Sequence, residues 1–223
     1  MKKTFLSLIA VLFTLAVFAQ NKINEGTLTY SVQWTLPPNA PPQMASMLPT
    51  EMKVVFKGDS SATLATSQMS SSSTILNPKT EYARLLLDIP MMSKKFSIIF
   101  TPADQEEMKA QFPEYELTAG TENKTMVGYK AQKYVVKDKK SGNTFDAWFT
   151  KDVDIIQNSL SNFFDQSYGF PLEFNTVQNG MGIKAIVKNV KAEKVPEGSF
   201  SASSEYEEIT FDQLKGMMQG GGR

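Results

Sequence analysis

The chain has no histidine and no cysteine, so carboxylates, lysines and methionines carry most of its chemical potential. A Ser-His-Asp triad and a His-ligated zinc site are ruled out. So are thiolate nucleophiles, iron–sulfur clusters and thiolate copper sites. No GxGxxG or P-loop spacing offers a cradle for phosphates. Two acidic groups remain. Asp104, Glu106 and Glu107 cluster just after Thr101-Pro102, and Asp152 and Asp154 form an Asp-x-Asp. Such pairs can act as general acid and base or open a calcium loop. Neither group has the further oxygen ligands at regular offsets that a calcium loop needs, and acids at a helix start are favoured by the helix dipole alone. The expectation is a solvated helix start and a polar turn, with no catalytic residue, no metal and no cofactor.

The methionines have three uses to weigh. Met44, Met47 and Met52 lie in or beside a proline-rich stretch, and Met91-Met92 and Met217-Met218 are pairs. Thioethers select copper(I). They also make an apolar surface that adapts to a ligand or partner, and they fill gaps in loops and cores, which is methionine's commonest use.

Alternation sets the elements that must position these groups. In Thr27–Trp34, Leu28, Tyr30, Val32 and Trp34 share one face, and Glu51–Lys57 repeats the pattern with Met52, Val54 and Phe56. Period two over this length predicts half-buried strands. Leu36–Pro49 holds five prolines and two methionines between them, which predicts a loop or cover. Further strands are predicted at Ser61–Met69, Ser73–Leu76, Glu81–Ile89, Lys94–Phe100, Tyr115–Thr118, Thr125–Asp138, Thr144–Thr150, Phe170–Asn175 and within Gly180–Val195. Thr101 can cap a short helix through Gln111, with Pro102 in its first turn. Val153–Phe164 reads as a helix or an irregular segment, and Phe211–Met218 as a short helix. About eight to ten strands with one or two short helices predict a mainly β fold, a curved antiparallel sheet or half-barrel.

Lys2 and Lys3 precede an apolar run from Phe5 to Phe18 that ends Ala16-Val17-Phe18-Ala19, the pattern of a signal peptide with Val17 and Ala19 at the cleavage site. The run is shorter than the roughly 20 residues that span a bilayer. The expected organisation is a signal peptide over 1–19, one antiparallel β domain over 20–200 with a Pro/Met-rich insert at 36–50, and a C-terminal tail over 201–223. A protein so exported is periplasmic or secreted, and without cysteine it is not a lipoprotein. The whole chain carries 23 basic and 23 acidic residues. That balance leaves no basic stripe for nucleic acid. No later apolar run is long enough for a transmembrane helix, and stability rests on packing and strand pairing without disulfides.

Four stretches together carry a resemblance. Gly128-Tyr129-Lys130-Ala131-Gln132-Lys133-Tyr134-Val135-Val136-Lys137 is followed by Ala147-Trp148-Phe149-Thr150-Lys151-Asp152. Gly169-Phe170-Pro171-Leu172-Glu173 and Val195-Pro196-Glu197-Gly198 come later. With Met52–Gly58 upstream, the order resembles a family of exported proteins common in Bacteroidetes, the domain of unknown function 4412, over about Gly26 to Gly198. The strand order is distantly similar to that of the periplasmic lipoprotein carriers, whose curved antiparallel sheet wraps an apolar cavity. The resemblance implies no catalytic residues. It implies a sheet around an apolar interior, and the aromatics Tyr30, Trp34, Phe56, Phe100, Tyr134, Trp148 and Phe174 are the candidates to line it. The same alternation also builds an ordinary sheet core. The expected role is a non-enzymatic binding module for a lipid or other apolar ligand. The alternative is an envelope structural or protein-interaction module, with the Pro/Met segment and an aromatic face docking a partner protein.

Overall fold

The computed structural model describes residues 22–41, 43–178 and 180–220. The signal peptide expected over 1–19 lies outside them. Among the described residues, twelve strands join in one sheet with three α-helices around it. Strands β1 (Glu25–Thr35), β2 (Glu51–Lys57), β3 (Ser60–Thr66), β4 (Ser71–Asn77), β5 (Tyr82–Ile89) and β6 (Lys94–Ile99) form one antiparallel meander. Strands β7 (Tyr115–Met126), β8 (Tyr129–Asp138), β9 (Thr144–Thr150), β10 (Phe170–Gln178) and β11 (Met181–Ala192) form a second. The meanders meet where β1 pairs antiparallel with β11, from Gly26↔Ala192 to Thr35↔Gly182. A two-residue strand, β12 (Glu207–Glu208), lies parallel to β6 at the far edge. The helices are α1 (Met44–Met47), α2 (Pro102–Lys109) and α3 (Phe211–Gly220).

The connection from β6 to β7 forces the sheet to curl. These strands are ten neighbour-to-neighbour steps apart in the sheet order. At about 4.8 Å per step a flat sheet would separate them by about 48 Å. Residues 100–114 join them and contain the eight-residue α2. One and a half ångströms per helical residue and about 3.4 Å per extended residue give a reach of roughly 36 Å. The edges must therefore approach each other, and the linker crosses the inner face. Thr101 caps α2 as expected: its hydroxyl accepts from the Asp104 N–H, and the Asp104 carboxylate accepts from the Thr101 N–H at 2.8 Å.

Cross-strand partners assign the faces. Leu28, Val54, Thr63, Thr74, Leu85 and Ile98 pair in one row across six strands and define the inner face. Tyr30, Phe56, Phe149, Leu172 and Phe174 are fully buried on that face. The segment between β9 and β10 fills it. Val153, Ile155, Leu160 and Phe164 from this segment are buried in the same cluster. Phe164 meets Phe149 edge-on at 5.1 Å and Phe174 at 5.4 Å. Truncating such a side chain to alanine costs about 3–5 kcal/mol. Polar bonds tie the segment down as well: Ser61 donates its hydroxyl to Gln157 O at 2.8 Å, and the Asp154 N–H donates to Ile23 O at 3.2 Å. Farther along the inner face, Leu214 of α3 packs with Ala83, Phe96, Ile98 and Phe100, and Phe211 of α3 and Met108 of α2 pack against that cluster.

Residues 200–220, expected as a tail with a short helix, pack against the sheet, and the helix is α3. Phe200, Ala202 and Tyr206 cover Ala62, Ile75 and Leu86 on the outer face. The chain then turns around the β6 edge through β12 and lays α3 on the inner face. Two strand predictions also change. The strand expected over Thr125–Asp138 is broken by a turn at Val127-Gly128, both at positive φ (44° and 88°). The strand expected at Tyr115–Thr118 runs on to Met126 as an edge strand that is largely exposed, so no clean apolar alternation marks it. The two-residue β12 brings the count to twelve.

Gly169 closes the inner segment at φ 95°, and a Cβ there would sit 2.3 Å from Thr150 O. Gly169→Ala combines a disfavoured backbone conformation with a backbone clash. It is expected to lower unfolding stability by about 2 kcal/mol or more, read as a lower urea midpoint at unchanged slope.

Candidate functional site

In this antiparallel sheet the connections β1–β2, β3–β4, β5–β6, β8–β9 and β10–β11 share one end, here the upper end. A cleft of about 790 Å³ opens there. Its walls come from the last residues of β1 and β10, the first of β11, the β8–β9 hairpin and the segment 111–115 that the linker delivers from the opposite edge. Each part is placed by a different stretch of sequence, and the curl of the sheet brings them together.

The floor is aromatic. Tyr115 stacks on Phe164 with centroids 5.5 Å apart, and meets Phe145 at 5.4 Å and Phe163 at 5.6 Å edge-on. Its hydroxyl donates to the buried Thr176 hydroxyl at 3.2 Å. Burial pushes the Tyr115 hydroxyl above its ordinary pKa, against the Thr176 hydrogen bond. Trp34 forms part of one wall and donates its indole N–H to Pro49 O at 2.7 Å, which ties the wall to the Pro/Met-rich connection. Phe112 and Ile183 add apolar surface. The rim is polar: Lys140 and Asn143 stand on the β8–β9 hairpin, and Gln33, Lys184 and Asn175 pair in one outward-facing row behind it. Asp138, also on the rim, is already engaged. Its carboxylate accepts from the N–H groups of Lys140 (2.8 Å) and Ser141 (3.2 Å). Burial works to raise its pKa, but those donors outweigh it and hold the carboxyl below its ordinary value.

The seven aromatics expected to line an interior separate. Tyr30, Phe56, Tyr134 and Phe174 are buried in the main core and line no open space; Tyr30 meets Phe174 edge-on at 5.9 Å. Phe100 belongs to the second cluster and packs on Phe211 at 5.2 Å. Trp148 lies on the outer face under the Lys124 ammonium, 4.1 Å from its ring centre, beside the Lys124–Glu173–Lys184 ion pairs. Trp34 alone of the seven lines the cleft. Sequence reading passed over Phe112, Tyr115 and Phe145. Phe145 was visible as the alternate of Ala147 and Phe149, whereas Phe112 follows a helix in a stretch with no periodicity.

The acidic groups have local partners. Asp104 completes the α2 cap, Glu106 pairs with Lys109, and Glu107 pairs with Lys215 of α3. Asp152 accepts from the Lys130 N–H at 3.0 Å, pinning the start of β8. Among the described residues no group of three or more Asp or Glu side chains is arranged to hold a metal ion, and no helix is long and apolar enough to cross a membrane.

The fold is thus a mainly β, single-sheet architecture with a filled inner face and an open upper cleft. Among solved structures the chain is similar to PNGF-II (peptide:N-glycanase F-II), with a TM-score of 0.53 and 17% identity, over 87% of this chain and 33% of that one. At that identity the likeness shows the fold alone, and this chain spans about a third of the PNGF-II chain. The sequence matches no family model and no curated protein.

Burial also pushes the Tyr30 hydroxyl far above its ordinary value of 10.0, with the Asn158 side chain acting the other way. A folded pKa above the unfolded one means that the unfolded chain loses its proton first. The stability these two tyrosines contribute is therefore complete below pH 10 and drains as pH rises past it. Urea midpoints measured from pH 9 to 11.5 should fall, and Tyr30→Phe should flatten that fall; an unchanged slope in the variant would contradict the assignment.

Proposed function

We propose that the protein is an exported, non-enzymatic binding module that holds a lipid or other apolar ligand in the upper cleft. The observation that carries this reading is the cleft itself: about 790 Å³, an aromatic floor and a polar rim. Ligand pockets fall at roughly 300–1,000 Å³ and pair apolar walls with a few polar groups that set orientation. An apolar tail would lie on Tyr115, Phe145 and Ile183, and a polar head would meet Asn143 at the rim. The strand motifs that resemble an exported Bacteroidetes family, and more distantly the lipoprotein carriers, agree with this role and with a periplasmic or secreted location. The overlap with one third of PNGF-II fits a fold that serves as one module of a larger protein, and no glycanase activity is carried over from it.

The two tryptophans give a direct test. Trp148→Phe removes the outer-face indole and leaves Trp34 as the sole reporter, in the cleft wall. Titration with a long-chain fatty acid should shift Trp34 emission saturably at one site. Phe145→Asp, which puts a charge on the floor, should weaken binding by about tenfold or more. An unresponsive Trp34, together with native mass spectra showing only bare protein from its own envelope, would rule the reading out.

A further inference from the structure

The upper end of the first meander has an unusual surface. Three connections reach it: residues 36–50 between β1 and β2, 67–70 between β3 and β4, and 90–93 between β5 and β6. Together these 23 residues contain no charged side chain, although 21% of the chain is charged and about five would be expected. They do contain five of the chain's 12 methionines: Met44, Met47, Met69, Met91 and Met92. Four of these are exposed, Met91 at 79%, Met92 at 59%, Met69 at 43% and Met47 at 42%. The lower-end turns of the same strands carry Asp59, Lys79 and Glu81, and the β8–β9 hairpin carries Lys139 and Lys140. The uncharged character is therefore local to one end of one meander.

Strand order fixes how the tips are arranged. The three connections bridge alternate gaps, so their tips recur about every 9.6 Å and form a row roughly 20 Å long. Charges on the stems below are paired: Lys94 with Glu207 at 3.1 Å, Lys95 with Glu205 at 2.6 Å, and Lys188 with Glu51 at 3.5 Å. The tips themselves thus offer no ionic group, and the charges just below them largely offset one another. A protein interface sets its apolar centre within a polar rim. Separate flexible thioether tips without charge suit a surface with no fixed shape.

We propose that this row of methionine tips docks on the neutral headgroup–acyl boundary of a lipid bilayer. The partner is zwitterionic lipid, since the tips have no cation to select an anionic headgroup. Trp34 and its bond to Pro49 tie the first tip to the cleft wall. The surface assignment is independent of whether the cleft takes a ligand.

The test is flotation of the mature chain with phosphatidylcholine vesicles. The wild type should float with them, and raising salt from about 0.1 to 0.5 M should leave binding unchanged, because no screened charge contributes. Met91→Asp/Met92→Asp should reduce flotation by about tenfold, with an unchanged urea midpoint. Lys79→Asp at the opposite end should float like the wild type. Should the double variant not fold, Met69→Asp provides the same comparison on a separate turn. Failure of the wild type to float, binding confined to anionic vesicles, or full flotation of the aspartate variants would overturn the proposal. So would a wild-type dimer in sedimentation that the aspartate variants split, because the row would then be covered by a second copy. Trp34 titration without vesicles reports on the cleft separately.

Discussion

The structure depends on the pairing of β1 with β11. Each meander can form from neighbours in sequence, through short turns and one longer connection apiece (36–50 and 151–169), but neither encloses the inner face alone. The seam brings Gly26 opposite Ala192 and Thr35 opposite Gly182, closing a loop of roughly 150 residues. Loop closure grows slowly with length, so the thermodynamic cost is modest, but such non-local pairings slow folding. No cysteine is present to hold the seam covalently. Its permanence comes from what is buried beneath it: Leu28, Tyr30 and Val32 on one side, and Ile183, Ala185 and Val187 on the other.

Much of the sheet was legible in the residues. Glu51–Lys57 alternates at every position but Val55, and the strand has those bounds. Thr101-Pro102 with Asp104 announced α2 through the chemistry of its first turn, which is local and therefore readable. Where sequence reading failed, the cause was non-local. Val127 at positive φ is a poor turn residue by type, and only the β7–β8 register makes it one. The C-terminal stretch showed its short helix but not its docking, because its apolar residues are sparse. Phe200, Tyr206, Phe211 and Leu214 become an anchor only once two faces of a sheet are there to receive them.

The cleft was the least legible part. Its floor joins Tyr115, Phe145 and Ile183 from strands that are not consecutive, with Phe112 delivered by the crossing linker. Alternation said which residues face inward but not which inward space would be filled. The segment 153–164 settles that by occupying the centre of the inner face, with the cleft of about 790 Å³ at the upper end and a more polar hollow of about 410 Å³ at the lower. Trp34 lies at the upper boundary: it shares a face with Tyr30 and Val32 but sits at the end of its strand, beyond the reach of the filling segment.

The two borders of the sheet are finished in different ways. At one border the C-terminal stretch folds over β6 from outside to inside and pairs with it through Glu207 and Glu208. At the other, β7 slips register between Ala119 and Asn123 and exposes Glu116 and Glu122 along its length. A bulge and edge charges discourage further strand pairing. The sheet is accordingly self-limiting. Its final twenty or so described residues act as a selvedge, and the same chain without them would present an open, hydrogen-bond-hungry border on which a neighbouring molecule's strand could continue the weave.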